Sequence, residues 1–510
     1  MKSLLSSRGS IVWMAAWPVL LLSLAATARG QDVRVRPAVK AGTWYKADPK
    51  ALRDEIEGYF AKAPKAALPG PPVGVIAPHA GYEFSGKCAG AVYAKLRGRD
   101  IRRVVVLAPT HHVGFRGGSI ANVDFYETPL GRIPLDRKAC DAVLKSPLVR
   151  SIAAAHRNEH SLELQLPFLQ VALKEFKLVP IVLGQLADDD CAKLANVLRE
   201  HMDAHTLVVA SSDFTHYGRM FNYEPFAKQA GNAATKAERN EVVRNGIAAL
   251  DKGAIDRILR LDGPDFGKYV ARWRATICGR VPIAVMLEML TPDCQGALLD
   301  YYLSGDREGD YDHSVSYAAI AFTIGPGEVS AAGRKTLLEV ARKTLRATLR
   351  GEKLPNFDIK DKELEVKRGV FVTYKNKGRL RGCIGNFSSD DPLWKLVQRM
   401  AVASARDDFR FRDDPITAKE EPAIDIQISV LSPMTRINDP LDFIVGVHGL
   451  YIKRGRRGGT YLPQVATEQG WDKRTFISHL CRYKIGLSAD AWKQKDTEVS
   501  IYSAQVFEEK

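Results

Sequence analysis

The sequence predicts an α/β protein, and two observations carry that prediction. Three short Val/Ile/Leu runs end, just past an Ala-Pro or Ser-Ser corner, in histidine or aspartate: Val73-Gly-Val-Ile-Ala-Pro-His79, Arg103-Val-Val-Val-Leu-Ala-Pro-Thr-His111-His112 and Thr206-Leu-Val-Val-Ala-Ser-Ser-Asp213-Phe-Thr-His216. Between and around them, apolar residues recur at helical spacing. Short apolar runs bounded by turn residues suit buried strands of a parallel sheet, and strands that alternate with helices make βαβ units. Ligands bind such sheets beyond the carboxyl ends of the strands. Three separate segments are therefore expected to deliver imidazole and carboxylate to one place, as a metal or acid/base site requires.

Taken in order, the chain opens with Lys2 and Arg8, an apolar stretch from Ile11 to Ala26 and the small-residue pattern Ala26-Thr27-Ala28. This is the layout of a secretory signal peptide over residues 1–30, which implies export to the periplasm or the cell exterior. The stretch is shorter than the roughly 20 residues of a membrane span and contains Pro18, so an N-terminal membrane anchor is the alternative rather than the first reading. No later segment is long and apolar enough to span. Asp48-Pro49 followed by Leu52, Ile56, Tyr59 and Phe60 predicts a capped amphipathic helix with proline in its first turn. Leu162, Leu166, Leu169 and Leu173 predict another helix, and Leu178 to Leu183 a strand.

The last strand of this half is expected from Ser314 to Ile324. The turn-forming stretch Gly325 to Gly333 follows and marks a boundary, giving domains at 36–325 and 336–510 joined by a linker at 326–335. Beyond it, Leu337, Leu338, Ala341, Leu345 and Leu349 predict a helix that Gly351 terminates. Strand-like pieces (Gly369 to Tyr374, Ala423 to Leu431) then alternate with a helical one (Asp391 to Ala405), as in an α+β domain.

Composition sets the outer limits. At 510 residues the chain exceeds what one core organises, and 45% hydrophobic with 26% charged residues describes folded globular protein. Removing residues 1–30 takes away Lys2, Arg8 and Arg29 and no acid, lowering the formal charge of +15 by three. A basic excess of that size permits polyanion binding without showing it, and an exported chain would rarely meet nucleic acid. The seven cysteines form no CxxC pair, and their odd number leaves at least one thiol free or metal-bound.

In the first domain the polar candidates are His79, His111, His112, Glu159, His160, Glu163, Asp213, His216 and Cys278. Imidazole and thiolate suit iron, copper or zinc, whereas a carboxylate in place of the thiolate suits non-haem iron. His79 and His111 at adjacent strand ends are expected to meet. A third ligand must come from Cys278, Asp213 or His160, and spacing does not choose among them.

Ala41-Gly-Thr-Trp-Tyr45, Ile76-Ala-Pro-His-Ala-Gly-Tyr82, Ala108-Pro-Thr-His-His112, Glu159-His-Ser-Leu-Glu163, Ser211-Ser-Asp-Phe-Thr-His216, Thr276-Ile-Cys-Gly-Arg280 and Ser314-Val-Ser-Tyr-Ala-Ala319 together resemble the Memo family, protein B of the AmmeMemoRadiSam system. The resemblance implies a fold similar to class III extradiol dioxygenases and a pocket that holds iron or copper on two histidines and a cysteine. By position, these are His79, His111 and Cys278, with Asp213 and His216 lining the same pocket. A thiolate softens such a site, so ring-cleaving activity is not expected. Asp213 and His216 then serve either as general acid and base or to orient a ligating histidine.

In the second domain Gly378-Arg-Leu-Arg-Gly-Cys-Ile-Gly385 surrounds Cys383 with arginine and glycine, as an activated thiolate requires; a tight turn around a small buried cysteine is the plainer reading. His448 and His479 are the histidines available to pair with it. Leu380-Arg-Gly-Cys-Ile-Gly385, Ala405-Arg-Asp-Asp-Phe-Arg-Phe411, Val445-Gly-Val-His-Gly-Leu450, Thr460-Tyr-Leu-Pro-Gln-Val465 and Glu468-Gln-Gly-Trp471 resemble the AMMECR family, protein A of the same system. That implies a candidate pocket around Cys383 and His448. Lys453-Arg-Gly-Arg-Arg457 is expected to be an exposed hairpin rather than a nucleic-acid patch, because it lacks interleaved aromatics.

The expected function is that of a metal-dependent, oxidoreductase-like protein acting on a small molecule or peptide, with a functional link to a radical S-adenosylmethionine protein implied by the resemblance. The alternative is a non-catalytic module that uses the first pocket to bind a peptide or small ligand. An exported copy would act after, or without, a radical partner, whose iron-sulfur cluster suits the cytoplasm.

Overall fold

The apolar runs form the centre of a mixed sheet in a computed structural model that describes residues 33–510 except 66, 67, 69, 326–328 and 510. The signal-like segment 1–30 lies outside the described residues. Helix α1 (Pro49–Ala61) starts where Asp48 accepts a hydrogen bond from the Ala51 N–H at 2.7 Å and Pro49 sets the first turn; it buries Leu52, Ile56 and Phe60. Strand β1 (Pro72–Ala77) follows, then α2 (Tyr82–Tyr93), β2 (Arg103–Pro109), β3 (Lys177–Leu183), α3 (Asp188–Arg199) and β4 (Thr206–Ser211). Next come β5 (His216–Gly218), α4 (Arg280–Met289), β6 (Cys294–Leu303) and β7 (His313–Ile324).

The strands lie side by side in the order β5-β7-β1-β4-β2-β3, continued by Gly118–Ser119 and Val149–Arg150, with β6 on the free side of β7. Strands β1, β4, β2 and β3 run parallel, as the sequence predicts, and every residue of β1 and β4 is buried. The predicted last strand is antiparallel to β1, so the sheet is mixed rather than wholly parallel. The order matters for function: β1, β4 and β2 are consecutive neighbours, so their carboxyl ends open side by side.

The Leu162 to Leu173 periodicity gives less helix than expected, a 3-10 turn at Glu163–Gln165 and a helix at Leu166–Ala172 with Pro167 near its start. The residues before it are held otherwise, because the Glu159 carboxylate accepts from the backbone N–H groups of His160 and Ser161, both at 3.0 Å.

Helix α5 (Ala331–Arg350) starts inside the turn-rich stretch, since Ser330 caps it by accepting from the Gly333 N–H, and it ends at Gly351 with φ +68°. The second half then folds as β8 (Val370–Asn376), β9 (Arg379–Asn386), α6 (Leu393–Arg406), β10 (Ile424–Leu431), β11 (His448–Arg454), β12 (Arg457–Tyr461) and β13 (Glu498–Glu508). Its sheet has the order β9-β8-β10-β13-β11-β12 with antiparallel pairings, the α+β arrangement expected. Two apolar clusters serve it, one of α5 and α6 with β8 and β10, the other around Leu450, Phe476, Leu480 and Ile501. The basic segment 453–457 is the β11–β12 hairpin.

Residues 34–510 form one compact unit. Its halves meet through the Arg199–Asp442 ion pair, a backbone bridge between Asp203 and Val445, and His448, whose Nε2 lies 3.2 Å from Asp293 Oδ2. Among the described residues no helix is long and apolar enough to cross a membrane.

Candidate metal centre

His79 stands two residues beyond β1, His111 two beyond β2 and Asp213 two beyond β4, so the sheet order alone brings them together. Cys278 arrives from outside these strands, on the turn that leads into α4. That turn packs closely: a Cβ at Gly279 would sit 2.3 Å from Ser212 Cβ and 2.5 Å from Ser211 O, so only glycine lets the cysteine reach the end of β4. As a result Cys278 Sγ lies 3.3 Å from His79 Nε2 and 3.5 Å from the Asp213 carbonyl oxygen.

The hydrogen bonds fix which nitrogen of each ring is free. Ser211 has one hydroxyl hydrogen, and it donates that to the Ser161 carbonyl at 2.6 Å while accepting from Gln165 Nε2 at 2.8 Å. Towards His79 Nδ1, also 2.8 Å away, Ser211 can therefore act only as acceptor. His79 carries its proton on Nδ1 and turns an Nε2 lone pair towards Cys278. His111 is held in the same sense, its Nδ1 donating to Glu159 Oε1 at 2.9 Å and its backbone N–H to Oε2 at 2.6 Å. His216 Nδ1 faces the Phe214 and Thr276 carbonyl oxygens, each at 2.9 Å, which again leaves Nε2 as the lone pair.

The electrostatics agree. Burial, then the neighbouring His111, lowers His79 well below the usual histidine range, so the ring is neutral. Burial, with His79 and His111 beside it, brings His160 down to about 3. For Glu159 burial works the other way, but the His111 ring and the N–H groups it accepts outweigh it and hold the carboxyl well below its ordinary value. Burial raises Asp213, and burial together with the Asp213 charge pushes the Cys278 thiol well up. Without a cation the thiol keeps its proton; a bound metal reverses that order.

Two sets of side chains have potential ligand atoms within 4.8 Å of one another: His79 with His111 and His160, and His79 with Asp213 and Cys278. His79 belongs to both. The donor set of neutral imidazole nitrogens and a thiol fits iron, copper or zinc, and each outer nitrogen of His79 and His111 is already bonded, as metal-binding histidines require. His160 joins through its ring, stacked 4.5 Å from His111 and tilted at 4.5 Å against Trp44, and its Nδ1 is buried without a hydrogen-bond partner. Trp44 is fixed there because the buried Glu163 carboxylate gathers Arg36, the Tyr45 hydroxyl at 2.7 Å and the Val39 and Lys40 N–H groups. Asp213 Oδ1 accepts from the His79 backbone N–H at 2.8 Å, and its Oδ2 lies 3.9 Å from Nε2.

His111, His112 and Cys278 line a cleft of 320 Å³, with Phe115, Gln185 and Arg280 on its other walls. Ser211 and Gln165 were not singled out by sequence patterning, although they set the His79 tautomer. The signal that could have found Ser211 is its place as the last residue of β4, between the strands that end in His79 and His111.

The second expected constellation does not assemble. Cys383 sits on β9, where its Sγ accepts from Thr373 Oγ1 at 3.2 Å, its N–H donates to Asp408 Oδ2 at 2.9 Å and its carbonyl accepts from Arg410. His448 is fully buried and spent elsewhere: Nδ1 accepts from the Ile444 N–H at 2.9 Å, so Nε2 carries the proton and donates to Asp293 of the other half. A pocket shared by Cys383 and His448 is thus replaced by a domain contact.

The family described as Memo-like protein matches residues 36–321, and AMMECR1 matches residues 338–507. Protein MEMO1 of Homo sapiens is 32% identical over 301 residues, covering 57% of this chain and 97% of its own length. A MEMO1 family protein of Methanopyrus kandleri is 36% identical over 306 residues, covering 57% of this chain and 99% of itself. A crystal structure of an uncharacterized protein from Pyrococcus horikoshii, 35% identical, aligns with 34% of this chain and 90% of its own with a TM-score of 0.32.

Proposed function

The chain belongs to the Memo-like protein family, of class III extradiol dioxygenase-like fold, with an AMMECR1 domain after it, and from that premise we propose a metal-dependent, oxidoreductase-like protein. His79, His111 and Cys278 would hold iron or copper, which supplies redox chemistry at that point when bound. The observation that carries this reading is the tautomer pattern: both rings are anchored by Nδ1, and His79, which shares one group of ligand atoms with His111 and another with Cys278, turns its lone pair to the thiol.

The remaining roles fall to the chain's own residues. Asp213 holds the His79 backbone in place, and its buried carboxyl, raised by that burial, stands next to the ring as the candidate acid or base. His216 offers a lone pair from a ring pinned by two carbonyl oxygens. Trp44 shields His160 from water. With a thiolate among the ligands, ring cleavage of a catechol is not the expected reaction. Export through residues 1–30 is part of the proposal, supported by the basic, apolar and small-residue order of that segment.

Metal analysis of the purified full chain tests the site. Wild type is expected to hold one equivalent of iron or copper, and His79→Ala, His111→Ala and Cys278→Ala to lose most of it. A metal-free wild type, or variants as fully loaded as wild type, overturns the proposal.

A further inference from the structure

We propose that the cleft bearing His111 and Cys278 continues into an anion-binding arm formed by Arg116, Arg150 and Arg280, which takes a phosphate or carboxylate group of a small organic substrate. The inference deepens the reading of the first cleft as the functional site and rests on it. A second cavity of 740 Å³ is lined by these three arginines together with Gln185, Asp190, Leu148 and neighbouring backbone. Arg280 and Gln185 belong to the walls of both cavities, so the two adjoin. Each space by itself is of the size that small-molecule ligands occupy.

The positive charge of this cavity exceeds the negative, with three arginines against the one carboxylate of Asp190. Among the described residues the guanidinium groups of Arg116, Arg150 and Arg280 make no ion pair, side-chain hydrogen bond or ring contact. Elsewhere the arginines are commonly engaged, as Arg103 is with Asp136 and Asp203, or Arg381 with Asp414 and Glu420. The carboxylate on this wall, Asp190, is paired with Lys193 at 2.9 Å. Three exposed arginines lining one concavity repel one another and give it a positive potential, and a planar fork suits phosphate or carboxylate.

The arm is built on fixed backbone rather than on a loose surface. Arg116 forms a backbone bridge with Gln185, flanked by Gln185 N–H to Phe115 O at 2.8 Å and Gly117 N–H to Gln185 O at 3.0 Å. A Cβ at Gly184 would fall 2.0 Å from Phe115 O, so glycine is needed for this approach. Arg150 ends the short strand paired with Gly118–Ser119, and Arg280 opens α4 two residues after Cys278. An anion in the arm would thus place the rest of its molecule towards the thiol.

Calorimetric titration of the full chain, stripped of metal by chelator and dialysed, with pyrophosphate and separately with citrate, tests the arm. Wild type is expected to bind at least one probe, and the stronger of the two tells phosphate from carboxylate. Arg280→Gln and the double variant Arg116→Gln/Arg150→Gln, with unchanged melting, should each bind about tenfold or more weakly. His79→Ala should bind as wild type does, so failure of the metal reading would leave this result standing. A variant with residues 453, 454, 456 and 457 changed to glutamine should also bind normally. No binding of either probe to wild type, or arginine variants that bind as well as wild type, overturns the proposal.

Discussion

His79 Nε2 faces Cys278 Sγ at 3.3 Å although 199 residues separate them in the chain. The contact is arranged from both sides. Ser211, committed to the Ser161 carbonyl, forces the His79 proton onto Nδ1, and Gly279 lets the α4 turn come down onto the end of β4. With the thiol's affinity for its proton raised by burial, the metal-free protein pairs S–H with a bare imidazole nitrogen. A cation that displaces that proton finds two ligands already aligned.

Glu159 plays for His111 the part that Ser211 plays for His79, with charge added. Glu159→Gln keeps the shape but removes the anion that fixes the His111 tautomer, and metal affinity should fall about 10- to 100-fold with the fold intact. Competition against a chelator of known affinity measures it.

Much of this site was legible beforehand because strand ends are readable as strings: an apolar run, a corner, then a histidine or aspartate. Which strands are neighbours was not, and the convergence of His79, Asp213 and His111 depends on the order β1-β4-β2. Cys278 carries no periodic signal, since it lies on a turn whose position follows from the packing of α4. His448 misled for a related reason. Its partner Asp293 is 155 residues away in the other half, and nothing in Gly446-Val-His-Gly449 distinguishes a domain contact from a catalytic pair.

His448 and Asp293 are therefore expected to stabilise the junction. His448→Ala leaves a buried carboxylate without its main partner and should cost about 3 kcal/mol, measured by urea denaturation. Burial would raise the Asp293 carboxyl, but the His448 ring and Thr291 hold it lower than in the unfolded chain. A depressed carboxyl contributes stability that is complete above its unfolded value of about 4 and is lost as pH falls through the lower folded value. The difference between wild type and Asp293→Asn should accordingly shrink below about pH 4 and be constant from there to neutrality.

Lys473 lies in a cleft between the halves, lined also by Arg199, Glu200 and Leu441. Burial, with Arg199 next to it, brings its ammonium down to about 8. Half of it is then neutral near pH 8, whereas an ordinary lysine reaches that point near about 10.4. Brief acylation at a series of pH values, read by peptide mass, should show Lys473 gaining reactivity about two units before the exposed lysines.

The reading of residues 1–30 as a signal peptide predicts a mature chain that starts after the Ala26-Thr27-Ala28 pattern. N-terminal sequencing of the protein recovered from outside the cytoplasm checks it. A start at Met1 would point instead to an anchor or to no export.

X-ray absorption at the edge of the bound metal tests the central claim most directly, because it counts sulfur. For the full chain loaded with iron or copper, one sulfur neighbour at about 2.3 Å, alongside nitrogen, is expected in wild type and absent in Cys278→Ser. A wild-type spectrum without sulfur, or one that Cys278→Ser leaves unchanged, would contradict a centre built on His79, His111 and Cys278.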